Sequence, residues 1–199
     1  ELILIVEGEE DRRALKALLG HQSKALSAAS AQGSLGIESL QGSSNLSYKV
    51  SQVREALCQS HSFLDNDTAG LTASQRAQQE GLITIADVHF AICDGQKESE
   101  IEDLYDESLY SGMLKNKYGV STQSPKFKGN AKWSDRMRKT FEHQGKPWSD
   151  QLEAQVKADI SALVEANPGT ALNVHKRASI DALAQALADK LAQIADGKK

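Results

Sequence analysis

The sequence has little cysteine: Cys58 and Cys93 are too few for a disulfide framework and have no metal-ligand spacing. They read as reduced, buried thiols in a cytoplasmic protein. No apolar run approaches the roughly 20 residues of a membrane helix, and no signal-peptide pattern is present, so no membrane partner is expected. The five histidines are scattered, which leaves no His/Cys set for zinc. There is no internal repeat and no helix-turn-helix or zinc finger, so any nucleic-acid contact should be to phosphate and not to base edges. The chain also opens without an initiator Met, directly on Leu2-Ile3-Leu4-Ile5-Val6, as a fragment of a longer protein would.

What the sequence does have is a lopsided charge. Residues 1–114 carry 8 Lys/Arg against 18 Asp/Glu, whereas residues 115–146 carry 9 against 2. An acidic half beside a compact basic segment suits acids that hold metal and bases that hold a phosphate backbone.

Five consecutive apolar residues at 2–6 predict a strand buried on both faces. A helix is expected over Glu9–Leu19, a short strand near Leu35–Leu40, a helix over Leu46–Gln59 and a strand at Ser62–Leu64. A helix over Thr72–Gly81 and a strand over Ile83–Cys93 follow. This alternation predicts an α/β protein with a parallel sheet flanked by helices. Beyond residue 104 the pattern turns helical. It ends on Ile180, Leu183, Leu187, Leu191 and Ile194 at three- and four-residue intervals. The division is therefore into residues 1–104, a catalytic α/β part, and residues 105–199, a helical subdomain carrying the basic segment 115–146.

Three acidic clusters lie where strands of such a sheet would end, the place where open α/β folds bind ligands. In Val6-Glu7-Gly8-Glu9-Glu10-Asp11, Glu7 ends an apolar strand, where an unpartnered carboxylate is costly. Asp11 lies one turn further on, and Gly8 permits a sharp turn. Glu9 and Glu10 read as ordinary first-turn acids. In Asp65-Asn66-Asp67-Thr68, two carboxylates two residues apart repel each other unless a hard cation sits between them. The third cluster is Glu98-Ser99-Glu100-Ile101-Glu102-Asp103. Converging carboxylates of this kind suit two Mg2+ or Mn2+ ions and in-line phosphoryl displacement.

An apolar strand with Glu-Gly-x-x-Asp, then a strand ending in Asp-x-Asp followed by Gly, resembles the TOPRIM domain of topoisomerases, primases and related nucleases. The later Glu100-Ile101-Glu102-Asp103-Leu104 is similar to the OLD-family (overcoming lysogenization defect) nucleases, whose TOPRIM domain follows an N-terminal ATPase. The motifs span residues 2–104. The resemblance implies a Rossmann-like TOPRIM fold and metal ligands at Glu7, Asp11, Asp65, Asp67, Glu100 and Glu102. It also implies a basic catalytic residue, matched by position and charge to Lys176 in Val174-His175-Lys176-Arg177. Glu98 and Asp103 have no counterpart. The implied activity is metal-dependent cleavage or nicking of DNA, with Glu7, Asp65 and Lys176 as the catalytic set. The implied partners are DNA and the ATPase domain, with oligomerisation mainly through that domain, and an antiphage role comes with the family.

Lys126, Lys128, Lys132, Arg136, Arg138 and Lys139, with Phe127 and Trp133 among them, and Arg177 further on, are the expected DNA contacts. Two alternatives stand beside this reading. A haloacid-dehalogenase-like phosphatase would use Asp65 as nucleophile but leaves Glu7 and Glu102 without roles. A non-catalytic DNA-binding module would have no need of the matched carboxylates. A topoisomerase is disfavoured because no segment presents an attacking tyrosine.

Overall fold

The computed structural model describes residues 1–40 and 42–197; Gln41 and the last two residues of the 105–199 segment lie outside the description. Four strands, β1 (Leu2–Val6), β2 (Leu35–Ser39), β3 (Gln59–Asp65) and β4 (Val88–Ala91), form one all-parallel sheet in the order β2-β1-β3-β4. The chain moves from β1 to β2 in one direction and then crosses to β3 on the other side of β1. The carboxyl ends of β1 and β3 therefore frame the topological switch point.

The run at 2–6 is apolar throughout because both faces of β1 are covered. Leu2, Leu4 and Val6 join Phe63 and Ala91 in a core shared with helices α1 (Glu9–Gln22), α7 (Asp150–Ala166) and α8 (Ala178–Asp196). Ile5 joins Leu64 and Val88 in the opposite core, under α3 (Leu46–Glu55) and α4 (Thr68–Gln79). The first core also takes in Trp133, Met137 and Phe141 of α6 (Trp133–His143) and Leu183 and Leu187 of α8. The segments on either side of residue 104 thus share one apolar interior, although their motifs differ.

Several boundaries move for local reasons. Helix α4 begins at Thr68, not Thr72, because the Asp67 side chain caps it by accepting from Gly70 N at 3.0 Å. The strand expected over 83–93 shrinks to Val88–Ala91. A capped turn precedes it, in which Asp87 accepts from Thr84 N at 2.8 Å. An additional helix, α2 (Lys24–Ala31), starts where Ser23 accepts from Leu26 N. Only Leu26 in it is buried, so it has no apolar periodicity to announce it. Helix α5 (Glu107–Met113) leads into the basic segment. No helix among the described residues is long and apolar enough to cross a membrane.

His61 lies in the middle of β3, fully buried, with Nε2 2.8 Å from His89 Nδ1. Burial, then the nearby Lys190 ammonium and His89, push its pKa from 6.5 down to about 3. An unfolded chain takes up this proton near pH 6.5, while the folded chain resists it down to about 3. Stability is therefore present above pH 6.5 and is lost as pH falls through that window. His61→Gln should flatten the decline of Tm between pH 6.5 and 4 (the acid limit set at roughly one unit above the folded value). An equally steep decline in the variant would show that other groups drive acid unfolding.

Candidate metal and phosphate site

The carboxylates converge because three connections aim them at the switch point. Glu7 follows the last residue of β1, and its Oε1 accepts from Asp65 N, at the end of β3, at 3.0 Å. Gly8 N donates to Asp11 Oδ2 at 2.8 Å, which turns the Asp11 side chain back over the start of α1. Gly8 itself is extended (φ −115°), so what it supplies is space. A Cβ there would meet Asp11 Oδ2 and Glu10 Oε2, each at 3.3 Å. The third cluster is held to β3 by paired backbone bonds between Asn66 and Ser99, both 2.9 Å. Asp65 Oδ1 accepts from Ile101 N at 3.2 Å, and the turn Ile101–Leu104 then buries Glu102 beneath the cluster. Gly70 closes the wall. A Cβ at that position would lie 2.3 Å from the Asp65 carbonyl oxygen and 3.1 Å from Glu7 Oε1, a contact that backbone cannot accept.

Lys157, on α7, was given no role by the sequence reading and occupies the middle of this group. Its Nζ lies 3.5 Å from Glu102 Oε2 and 3.8 Å from Glu100 Oε1. Although burial disfavours the charge, Glu102, Glu100, Asp65 and Asp11 hold the ammonium well above its ordinary pKa. Lys132, from the basic segment, reaches Asp67 at 2.8 Å and Glu100 at 3.2 Å. Two ammonium groups thus face six carboxylates, and the deficit shows in their proton affinities. Burial, with repulsion from Asp67 and Asp11, raises Glu7 from 4.5 to about 7, against its bond from Asp65 N. Burial, with repulsion from Glu100 and Asp11, raises Glu102 to about 8 despite Lys157. Asp65 and Asp11 are also raised, chiefly by burial. At Glu100 burial is outweighed by Lys157, Lys132 and two bonds from Ser134, and the carboxyl falls below its usual range.

The remaining candidates separate by placement. Asp67 caps α4 as well as pairing with Lys132. Asp103 is a structural hub, accepting from Glu100 N, Trp133 N and the Arg136 guanidinium. Glu98 accepts from Thr68 N and Oγ1 at the start of α4. Arg136 is not a surface cation. It is 8% exposed, and its guanidinium is consumed by Asp103, the Ala131 and Phe127 carbonyls, and stacking 4.7 Å over the Phe127 ring. Trp133 (0% exposed) and Phe127 (3%) are packing anchors in the core, not stacking platforms for bases. Lys126, Lys128, Arg138 and Lys139 remain on the surface, Arg138 paired with Asp135. Lys176 is not brought to the carboxylates: its Nζ donates to the Asp103 carbonyl at 3.2 Å. Arg177 pairs with Asp181 on α8.

The donor set is all oxygen and suits Mg2+ or Mn2+. Buried Glu102 Oε2 accepts no hydrogen bond and faces only the Lys157 ammonium, 3.5 Å away, a position a divalent cation could take only by displacing that ammonium. Among the described residues, no three acid, histidine or cysteine side chains already stand together as a ligand set, so cation binding entails rearrangement around Lys157. Helices α1 and α4 begin directly after β1 and β3, and their first turns are capped by the Asp11 and Asp67 side chains. Comparison with protein-family models, curated proteins and solved structures found no match to this chain.

The raised carboxyls make a pH-dependent prediction. Unfolded, Glu7 and Glu102 ionise near 4.5; folded, they keep their protons to about 7 and about 8. Their contribution to stability is complete below pH 4.5 and is lost as pH rises through 7 to 8. A bound divalent cation removes that penalty. Mn2+ should therefore raise Tm by several degrees at a pH near 8 and scarcely at all near 5 (roughly 1 kcal/mol corresponds to 2–4 °C at this chain length). Equal shifts at both pH values would place the ion elsewhere.

Proposed function

We propose that this chain is a Mg2+- or Mn2+-dependent DNA nuclease domain of the TOPRIM type, nearest in its motifs to the OLD family, acting in a cytoplasmic setting beside an ATPase domain. The observation that carries the reading is the meeting of Glu7, Asp11, Asp65, Glu100 and Glu102 around one buried ammonium at the carboxyl ends of β1 and β3. Carboxylates gathered at this density, with only Lys157 and Lys132 to balance them, are costly to fold, and a bound cation would offset that cost.

Bound among these oxygens, divalent cations would supply polarisation of the phosphoryl group and an activated water. Glu7, Asp65, Asp67 and Glu102 would hold the cations, while Asp11 would complete the negative wall. Lys157 takes the role first matched to Lys176. Its Nζ lies over the Trp133 ring, 5.8 Å from the centroid, and within 4 Å of Glu100 and Glu102. There it offsets the charge that develops on the phosphoryl oxygens. Lys132 balances Asp67 and Glu100 and orients them. Lys126, Lys128, Arg138 and Lys139 supply salt-sensitive contacts to the backbone of the DNA strand.

Supercoiled plasmid cleavage tests this reading. The wild-type chain should cut with Mg2+ or Mn2+, and Asp65→Ala and Glu7→Ala should each lower the rate by about a hundredfold or more. Lys157→Ala should cost about the same, whereas Lys176→Ala and Arg136→Lys should act on stability before rate. Lys128→Ala should weaken DNA binding only about twofold to threefold, an effect that fades at high salt. Cleavage that persists in Asp65→Ala would refute the assignment. Accumulation of an aspartyl-phosphate at Asp65 would favour a phosphatase.

A further inference from the structure

A cavity of about 530 Å3 opens beside the carboxylate cluster; Asp67 and Lys132 belong to both, and Glu98, bonded to Thr68, lines the cavity alone. That volume falls within the roughly 300–1,000 Å3 of small-molecule sites. It is not part of the cation site, because its body lies between the start of α3 and the first turns of α4. Leu46, Ala69 and Ala73 supply carbon walls, while the Ser43 and Ser47 hydroxyls and the Arg76 side chain stand around them. A free phosphate would find acids at the inner end, Asp67 and Glu98, and is a poor match for the carbon walls. A flat, largely apolar ring fits better, because its faces meet the carbon walls, while the Ser47 hydroxyl and the Arg76 guanidinium at the rim are already engaged by Glu80.

Resting on the nuclease reading, we propose that this cavity receives the base of one unpaired nucleotide next to the phosphate being cut. Asp67 and Lys132 line the cavity and also border the carboxylate cluster, so the two are adjacent, as a phosphate and its neighbouring base are in one strand. A base stacked and paired inside a duplex cannot enter; a splayed or single-stranded one can. The preferred substrate is therefore single-stranded or locally melted DNA, read without sequence selection because the walls make apolar contact with any base.

The test uses wild type, Thr72→Trp and Ser47→Trp; the two variants place an indole in the cavity from opposite walls. Binding of a short labelled single-stranded oligonucleotide and of the blunt duplex is followed by fluorescence anisotropy in Ca2+, with the Mn2+-induced Tm shift read in parallel. Wild type should bind the single strand about fivefold more tightly than the duplex, the modest factor expected where the lining offers aliphatic contact and no aromatic ring among the described residues. Each variant should lose about that factor for the single strand and keep both its duplex affinity and its Mn2+ response. Variants that keep the Mn2+ response and bind the single strand as wild type does would overturn the cavity assignment alone. So would a wild-type preference for duplex. A wild-type chain that responds to Mn2+ but binds neither form of DNA would overturn the nuclease reading and this proposal together.

Discussion

The charge balance around Lys157 is the constraint on which the rest of the molecule turns. One ammonium from α7 stands among carboxylates contributed by the ends of β1 and β3, the first turn of α1 and the turn at Ile101–Leu104. The β1–α1 junction, the end of β3, the turn at Ile101–Leu104 and α7 are far apart in sequence, so the site exists only when the sheet, α1 and α7 are all in place. Helix α7 packs along α1, with Ser161 Oγ donating to the Glu10 carbonyl at 2.8 Å, which sets the position of Lys157 relative to Asp11. Removing one member of a buried charge group leaves its neighbours uncompensated, usually at a greater cost than an exposed pair would incur. The helical segment beyond residue 104 is accordingly part of the site.

The same logic assigns the basic segment two duties. Arg136 and Lys132 turn inward, one to Asp103 beneath the cluster and the other to Asp67 and Glu100 at its rim. Trp133 and Phe127 form the apolar support between them. The lysines left outside provide a diffuse positive surface next to the acids. On the proposed reading, the exposed cations would attract a phosphate backbone and the neighbouring acids would hold cations against it.

Much of this was legible in the sequence, because burial on two faces and burial on one leave different patterns. β1 announced itself through five apolar residues, and α8 through its Ile180–Leu183–Leu187 stripe. Glu7 and Asp65 stood out as acids ending apolar strands. Lys157 did not, since it sits one residue off the Val156–Ile160–Val164 stripe of α7, and periodicity reads such a residue as a boundary position. Arg136 and Trp133 misled in the opposite direction: linear clustering of cations and aromatics says nothing about which of them face inward. Lys176 matched by charge and position, but only the three-dimensional path of α7 shows which lysine meets the acids.

The most direct test of the central claim is anomalous scattering from a crystal of this chain soaked in Mn2+ at a pH near 8, where the buried carboxyls of Glu7 and Glu102 lose their protons. Density for Mn2+ bounded by Glu7, Asp65 and Glu102, with the Lys157 ammonium displaced from its place beside Glu102, is the expected result. A cluster free of Mn2+ with Lys157 unmoved, or Mn2+ confined to surface acids, would contradict it and leave the carboxylates as a purely structural ion network.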